Sequence, residues 1–496
     1  MHPKRSILAA AALLGLAGAA QATPLNWARS WTYDHASTGV AGQTSEIVSF
    51  EALSNTLWVV GLKGVDVLNA STGSLVQHID TSAFGEANSV AIHNGLVAVA
   101  VAAPTKTDAG SVRFYDASRT YLGSTTVGAL PDMLTFTPDG SRLLVANEGE
   151  RSASVDPSGS VSIIDVASRS VLATAGLVGV PTAGSHIRSF TGALGGTAMD
   201  AEPESITVNA AGTKAFVVLQ EANAIATLDL ASNRFTRITG LGVKSFNSAA
   251  SAIDPTDRDY LTGSSGPTQL ALRPVAASGL YQPDGIASYS VGGQTFLVMA
   301  NEGDARADEQ DEARASTFGA TGELARLTVS RLDSSAGNLV AYGARSFSIR
   351  DEDGNIVFDS GNQLDQLAID NGLYDDSRSD NKGVEPEGVT LASIAGRTYA
   401  FIGLERTTTS AVAVYDISNP AQASFVDLII GMGDVSPEGL TSFQIGGQTY
   451  LAVANEVSGS TSVYSLTPVP EPATYALMLG GLAGVLALSR RRRAVR

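Results

Sequence analysis

Apolar residues along this chain come in short runs, separated by glycine turns and stopped by an acid. Pro283 to Glu302 reads PDGIASYSVGGQTFLVMANE and Pro437 to Glu456 reads PEGLTSFQIGGQTYLAVANE. The two align without gaps and share 11 of 20 residues. Pro386 to Glu405, PEGVTLASIAGRTYAFIGLE, keeps the same length and layout. Each copy starts with a Pro-acid-Gly corner, continues through an apolar stretch and turns at glycine. A second apolar run then ends at the glutamate. Two β-rich runs about a glycine turn predict a hairpin. The near-continuous apolar character predicts strands buried on both faces.

Weaker copies extend the series. Pro131-Asp132 leads to Asn147-Glu148, and Pro203-Glu204 to Gln220-Glu221. Glu46 opens a unit leading to Leu57–Val60, and Asn88 one leading to Val97–Ala100. Third strands ending in aspartate are expected at Val112–Asp116, Ile163–Asp165, Ala226–Asp229 and Ala411–Asp416. Counting Glu46, Asn88, Asp132, Glu204, Asp284, Glu387 and Glu438 gives seven units, and the first spacings, 42 and 44, match the blade of a propeller. The fold expected is all-β, a seven-bladed β-propeller with loop insertions near 149–160, 177–200, 233–282 and 303–380. Trp27–Tyr33 is expected to pair with the last blade and close the ring.

The ends differ from the body. Lys4 and Arg5 precede an apolar run of 14 residues, Ile7 to Ala20, and small residues Ala20 and Ala22 flank a cleavage point. This is the layout of a signal peptide, with a helix too short to span a bilayer. At the other end Pro470-Glu471-Pro472 precedes 16 uncharged residues, Ala473 to Leu488, and then Arg490–Arg493. An apolar helix stopped by arginines leaves them on the cytoplasmic side and the body outside. This three-part tail resembles the PEP-CTERM sorting signal. The resemblance implies an exosortase partner, a membrane contact through the tail before processing, and a Gram-negative host that makes exopolysaccharide. The expected division is 1–22 signal peptide, 23–466 propeller, 467–496 sorting tail with its apolar helix.

The chain has no cysteine, so neither disulfides nor thiol chemistry operate in it. Without the seven basic residues and one acid of the two ends, 25 basic residues face 48 acidic ones, a net −23. Such a body does not bind nucleic acid or an anionic membrane by charge; it attracts cations, and the same charge keeps an exported protein soluble.

Several segments carry a wider resemblance. They are Gln282-Pro283-Asp284-Gly285, Asn301-Glu302-Gly303-Asp304-Ala305-Arg306, Arg345–Ile349, Asp359–Gly361, Ser377–Gly383, Glu385–Gly388 and Gly403–Arg406. Together they resemble the choice-of-anchor I family over nearly all of the mature chain. The resemblance implies one propeller-like domain joined to a surface-anchoring tail, and a kinship with mesenchyme-specific cell-surface glycoproteins. Some members bear phosphatase or phytase-like labels. Here Leu404 stands where the other strong copies have asparagine.

The histidines His35, His78, His93 and His186 have no metal-protease spacing, and neither a Gly-x-Ser-x-Gly elbow nor a phosphate-binding glycine loop is found. The organised signal is the carboxylates. In a hairpin the start of the first strand lies beside the end of the second. The corner acids Glu46, Asp132, Glu204, Asp284, Glu387 and Glu438 should therefore meet the strand-end acids Glu148, Glu221, Glu302, Glu405 and Glu456 on one rim. Crowded carboxylates raise one another's pKa or recruit cations, and hard oxygens suit Ca²⁺. The structural alternative is that they cap backbone amides while Arg306, Arg378, Lys382 and Arg406 neutralise them. Asp351-Glu352-Asp353-Gly354-Asn355 resembles the start of a calcium loop but lacks the distal glutamate, so a plain turn is expected. The favoured function is an exported, non-enzymatic binding or structural module of the envelope or matrix, with exopolysaccharide or another matrix polymer as the candidate partner and Ca²⁺ as the candidate cofactor. The alternative is a cation-dependent phosphoesterase, with Asp200-Ala201-Glu202-Pro203 as its acidic segment.

Overall fold

Runs such as TLWVVG, LVAVAV and KAFVVL cannot leave their valine, leucine and aromatic side chains in water, and each becomes a strand buried on both faces: Thr56–Gly61, Leu96–Val101 and Lys214–Leu219. The computed structural model describes residues 24–469, apart from 153, 189–200, 260–265, 267 and 307–310. Among the described residues six sheets have four antiparallel strands, and a seventh has four antiparallel strands and a fifth, parallel one. One is built from Val48–Glu51, Thr56–Gly61, Gly64–Asn69 and Leu75–Asp80. The last is Pro437–Ile445, Gln448–Asn455 and Ser460–Pro468, completed by the N-terminal strand Leu25–Asp34. Trp27 pairs with Leu466 and Tyr33 with Thr461, the closure expected from the sequence.

The first strands of the seven sheets touch in a cycle. Val48–Glu51 contacts Ala87–His93, then follow Pro131–Phe136, Pro203–Val208, Ile286–Val291, Pro386–Ile394 and Pro437–Ile445, which returns to Val48–Glu51. The architecture is thus nearly all-β and propeller-like. The core lies between neighbouring sheets. Trp58, Val60, Val65 and Val67 of one sheet pack on Val90, Val97, Val99 and Tyr115 of the next. Each such side chain contributes about 1.5–3 kcal/mol by burial. The first strands are not buried on both faces, contrary to expectation: Pro131–Phe136 alternates buried and half-buried residues, because one face borders the axis.

A buried network crosses the closure. His35 Nδ1 lies 2.6 Å from Asp66 Oδ2, His78 Nδ1 lies 2.7 Å from Asp66 Oδ1, and His35 Nε2 lies 2.8 Å from Thr461 Oγ1. It links the N-terminal segment, the first sheet and the last.

Two insertion boundaries need correction. Arg234–Leu241, placed in an insertion by the sequence, is the fourth strand of the sheet that starts at Pro203. Ser346–Asp351 and Ile356–Asp359, likewise assigned to an insertion, are the third and fourth strands of the sheet of Ile286–Val291. The inserted chain forms an eighth, five-stranded sheet of Val243–Ser245, Ser278–Leu280, Glu312–Arg314, Thr328–Ser330 and Val340–Ala341. It has its own core of Phe246, Ile253, Val275, Leu327 and Val329. The 149–160 insertion joins the strands Arg142–Asn147 and Ser160–Asp165. In the 177–200 insertion, Thr182–Ser185 pairs in parallel with Arg234–Leu241. The signal segment 1–22 and the tail from Pro470 lie outside the described residues. Among the described residues no helix is long and apolar enough to cross a membrane.

Candidate functional site: an axial ring of carboxyls

The corner motif has a mechanical cause. Pro131 pairs with Asn147, but the next pair is Leu134 with Val145, so the first strand gains one residue. The same shift follows Pro203, Pro386 and Pro437. This is a β-bulge, which takes the corner acid out of the ladder. Proline is tolerated because it begins an edge strand. The glycine is required by its neighbour. A Cβ on Gly285 would stand 2.4 Å from the carbonyl oxygen of Glu387, one on Gly388 2.0 Å from that of Glu438, and one on Gly439 2.2 Å from that of Glu46. Each glycine thus lets one corner close against the backbone of the next corner acid, and these contacts draw the acids together. At the strand ends, buried asparagines fix the turns: Asn147 Oδ1 accepts from the Gly128 amide and Asn455 Oδ1 accepts from Ser410.

Asp132, Glu148, Glu204, Glu221, Asp284, Glu302, Glu387 and Glu438 all line one cavity of about 830 Å³ at the axis. Arg306 lines it too. The structure brings these residues to one cavity, while Glu46, Glu405 and Glu456 of the expected rim do not line it. Glu405 stands next to the ring, hydrogen-bonded to Glu387, and Glu456 acts electrostatically on Glu438 and Glu46. Four acids escaped the sequence reading: Glu150, Glu202 and Asp304, which line the cavity, and Glu385, buried beside it. Glu202 and Glu385 did carry a signal, an acid directly before the corner proline in Glu202-Pro203-Glu204 and Glu385-Pro386-Glu387.

The ring is divided electrically. On one side Lys382 Nζ lies 2.9 Å from Glu302, 3.0 Å from Glu385 and 3.4 Å from Asp304. Arg378 pairs with Glu385 at 2.5 Å and Arg406 with Glu405 at 2.8 Å. Oxygens of Glu302, Glu385 and Glu405 come within 4.8 Å of one another, the spacing of a metal site, and the Lys382 ammonium bonds to two of the three. Burial alone would lower the Lys382 pKa; Glu302, Glu385 and Asp304 outweigh it and hold it well above the usual lysine value.

On the other side burial dominates. It pushes Asp132 up to about 7, with Glu221 adding repulsion, and Glu221 itself up to about 7. Burial, then neighbouring carboxylates, raise Glu148, Glu204 and Asp284 well above their ordinary values. Glu387 and Glu438 are raised for the same reasons, and Glu46 reaches about 7; on the Lys382 side Glu405 too is pushed up to about 7 by burial and Glu302, with Arg406 offsetting them only in part. Glu204 and Glu221 are hydrogen-bonded to each other, and both are at least nine-tenths buried. Yet Oε2 of each, and Oε2 of Glu387 and Glu438, is buried without a hydrogen-bond partner. Such an atom costs about 1–3 kcal/mol when left alone.

Beyond the carboxyls the first strands present Met133, Phe136, Ile286 and Val389 to the axis, where a second cavity of about 410 Å³ lies. The Asp351 segment is the plain turn expected: Asp351 Oδ1 accepts from the amides of Asp353 and Asn355 between two hairpin strands.

Comparison with known proteins gives two family matches. The model for the Choice-of-anchor I domain matches residues 46–420, and that for the PEP-CTERM protein-sorting motif matches 468–493. A search of curated proteins finds no match. Among solved structures, hydrazine synthase of Kuenenia stuttgartiensis is similar, at 11% identity and a TM-score of 0.49, with 86% of this chain and 96% of that chain covered.

Proposed function

The chain belongs to the choice-of-anchor I family, and on that premise we propose that it is a non-enzymatic binding module whose axial carboxyls take up cations. With the sorting motif, the family makes it an exported, surface-associated protein of the kind exosortase sorts. The module is a seven-bladed propeller, a reading supported by seven sheets whose first strands touch in a cycle. The eighth sheet is an insertion between blades. Its place of work is the outer envelope or the extracellular matrix, with matrix polymer as a partner.

One observation carries the cation reading. Four buried carboxyl oxygens without partners, on Glu204, Glu221, Glu387 and Glu438, belong to residues lining one cavity. Unlike charge brought among them would relieve both repulsion and lost hydration. Ca²⁺, a hard ion that takes six to eight oxygens, is the inorganic candidate. A ligand that binds only the folded state raises the melting temperature. The full chain is therefore expected to melt higher in millimolar Ca²⁺ than in chelator. Replacing Glu204→Gln and Glu221→Gln together should remove the difference. Equal melting temperatures for the native chain, in Ca²⁺ and for amine cations alike, would end the reading.

The phosphoesterase alternative gains no comparable support. Lys382, Arg378 and Arg406, the cations it would use on phosphate, are engaged with Glu302, Glu385 and Glu405. Turnover of a phosphomonoester by the full chain, dependent on Ca²⁺, would restore it.

A further inference from the structure

We propose that the axial cavity is a binding site for an aliphatic amine, its ammonium on the Glu204–Glu221 side of the ring and its hydrocarbon against the first strands beyond. The inference rests on the cation reading and names the ligand class.

Three observations converge. The first is an internal precedent. Lys382 is itself a four-carbon chain ending in an ammonium, and the ring holds that ammonium among Glu302, Glu385 and Asp304 at 2.9–3.4 Å. The neighbouring corner of the same ring offers Glu204 and Glu221, each at least nine-tenths buried with an Oε2 that has no hydrogen-bond partner, and Arg306 offsets only part of the charge on Glu221. Asp132 and Glu148 line the cavity with them.

The second is spacing. Among the described residues, three carboxylates come within 4.8 Å of one another only at Glu302, Glu385 and Glu405, where Lys382 already binds. Glu204 and Glu221 belong to no such trio among the described residues, so a bare Ca²⁺ there would draw most of its six to eight oxygens from water. An ammonium has three donors, accepts longer contacts and satisfies separate carboxyls.

The third is the wall. A bare ion has no use for Met133, Phe136, Ile286 and Val389, yet these face the same axial space. An alkyl chain does, because each buried methylene strengthens binding through the apolar surface it removes from water. The cavity thus joins acid and apolar surface in the order an alkylammonium presents them. Its volume, about 830 Å³, is in the range of small-molecule sites.

Calorimetric titration of the full chain with ethylammonium, hexylammonium, 1-hexanol and Ca²⁺ tests this. Hexylammonium should bind at one site and more tightly than ethylammonium, by about twofold to fourfold per added methylene. Hexanol, lacking the charge, should not bind measurably. Glu204→Gln with Glu221→Gln should weaken hexylammonium at least tenfold, with the melting temperature showing that the variant is folded. Should the pair of substitutions disrupt folding, the chain-length series on the native protein decides alone. Ca²⁺ binding without amine binding would overturn this inference and leave the cation reading standing. Amine binding that ignores chain length would overturn it too, because the wall would then play no part. Binding of neither cation would remove both.

Discussion

Two sides of one ring solve the same problem differently. Around Lys382 the carboxylates are matched by side chains of the protein itself: Glu302, Glu385, Glu405 and Asp304 face Lys382, Arg378 and Arg406. Around Glu204 and Glu221 burial, then neighbouring carboxylates, push the acids towards their protonated forms, with Arg306 opposing this only in part at Glu221, and oxygens remain without hydrogen-bond partners. The backbone is the same bulged corner on both sides. The difference lies in an inserted segment, 360–385, that delivers Arg378 and Lys382 to one side. Charge-matching is fuller there; at the neighbouring Glu204–Glu221 corner Arg306 offsets Glu221 only in part, and carboxyl oxygens stay buried without hydrogen-bond partners.

The largest way to break the comparison is to remove the internal cation. Lys382→Met leaves Glu385, 1% exposed, and Glu302 without the ammonium. Deleting one partner of a buried ion pair costs about 3–5 kcal/mol. Glu385 keeps Arg378, so denaturant unfolding should show a loss at the lower end of that range, and adding Glu302→Gln to the same chain should recover part of it. A loss below about 1 kcal/mol would mean that the two sides are electrically alike.

A pH series separates them next. An acid whose folded pKa is raised holds its proton to higher pH than the unfolded chain does. Between the two values the unfolded chain binds fewer protons, so stability falls as pH rises. For Glu221 the window runs from 4.5 to about 7. At about 1.4 kcal/mol per pKa unit, this one group contributes a loss on the order of 3 kcal/mol. Its contribution is fully present below pH 4.5 and gone above pH 7. Asp132 acts in the same sense up to about 7. The chain should therefore unfold more easily at pH 8 than at pH 5, and Glu221→Gln should flatten the slope. Stability that rises over this interval would place the ionised acids in matched pairs on both sides.

Much of this arrangement was legible in the sequence, because the corner repeat is itself the device. A Pro-acid pair marks the bulge at four corners, the glycine that follows in the strong copies lets neighbouring corners close, and a terminal glutamate marks the strand end that meets them. The sequence could not show that Gly388 faces the carbonyl of Glu438, since that contact joins residues 50 positions apart in different sheets. Nor were Ser346–Asp351 and Ile356–Asp359 readable as strands. Ser346, Ser348 and Arg350 look like loop residues, yet they are buried, with Ser348 donating to Asn301 and Arg350 to the carbonyls of Gly354 and Leu241. The eighth sheet was invisible because its strands have two or three residues and one pairing is parallel. The division of the ring was hidden as well: Lys382 was identified as a neutraliser, but only its reach to Glu302, 80 positions away, shows which acids it serves.

The smallest expected effect tests whether acidic sequence alone is enough. Asp351, Glu352 and Asp353 put three acids in a row, denser than any corner of the ring. Their surroundings are those of an ordinary turn. Asp351 spends Oδ1 on the amides of Asp353 and Asn355 and Oδ2 on the Asn355 side-chain amide. Glu352 pairs with Lys214 at 2.5 Å, and Asp353 with Arg237 at 2.7 Å in solvent. No oxygen is both buried and unpartnered there. Asp351→Ala should then cost only about 0.5–1.5 kcal/mol, the worth of turn hydrogen bonds near the surface. It should leave the response of the melting temperature to Ca²⁺ and to hexylammonium unchanged. If Asp351→Ala instead abolished either response, cation binding would belong to this exposed turn, and burial at the axis would not be what distinguishes a site from a charge run.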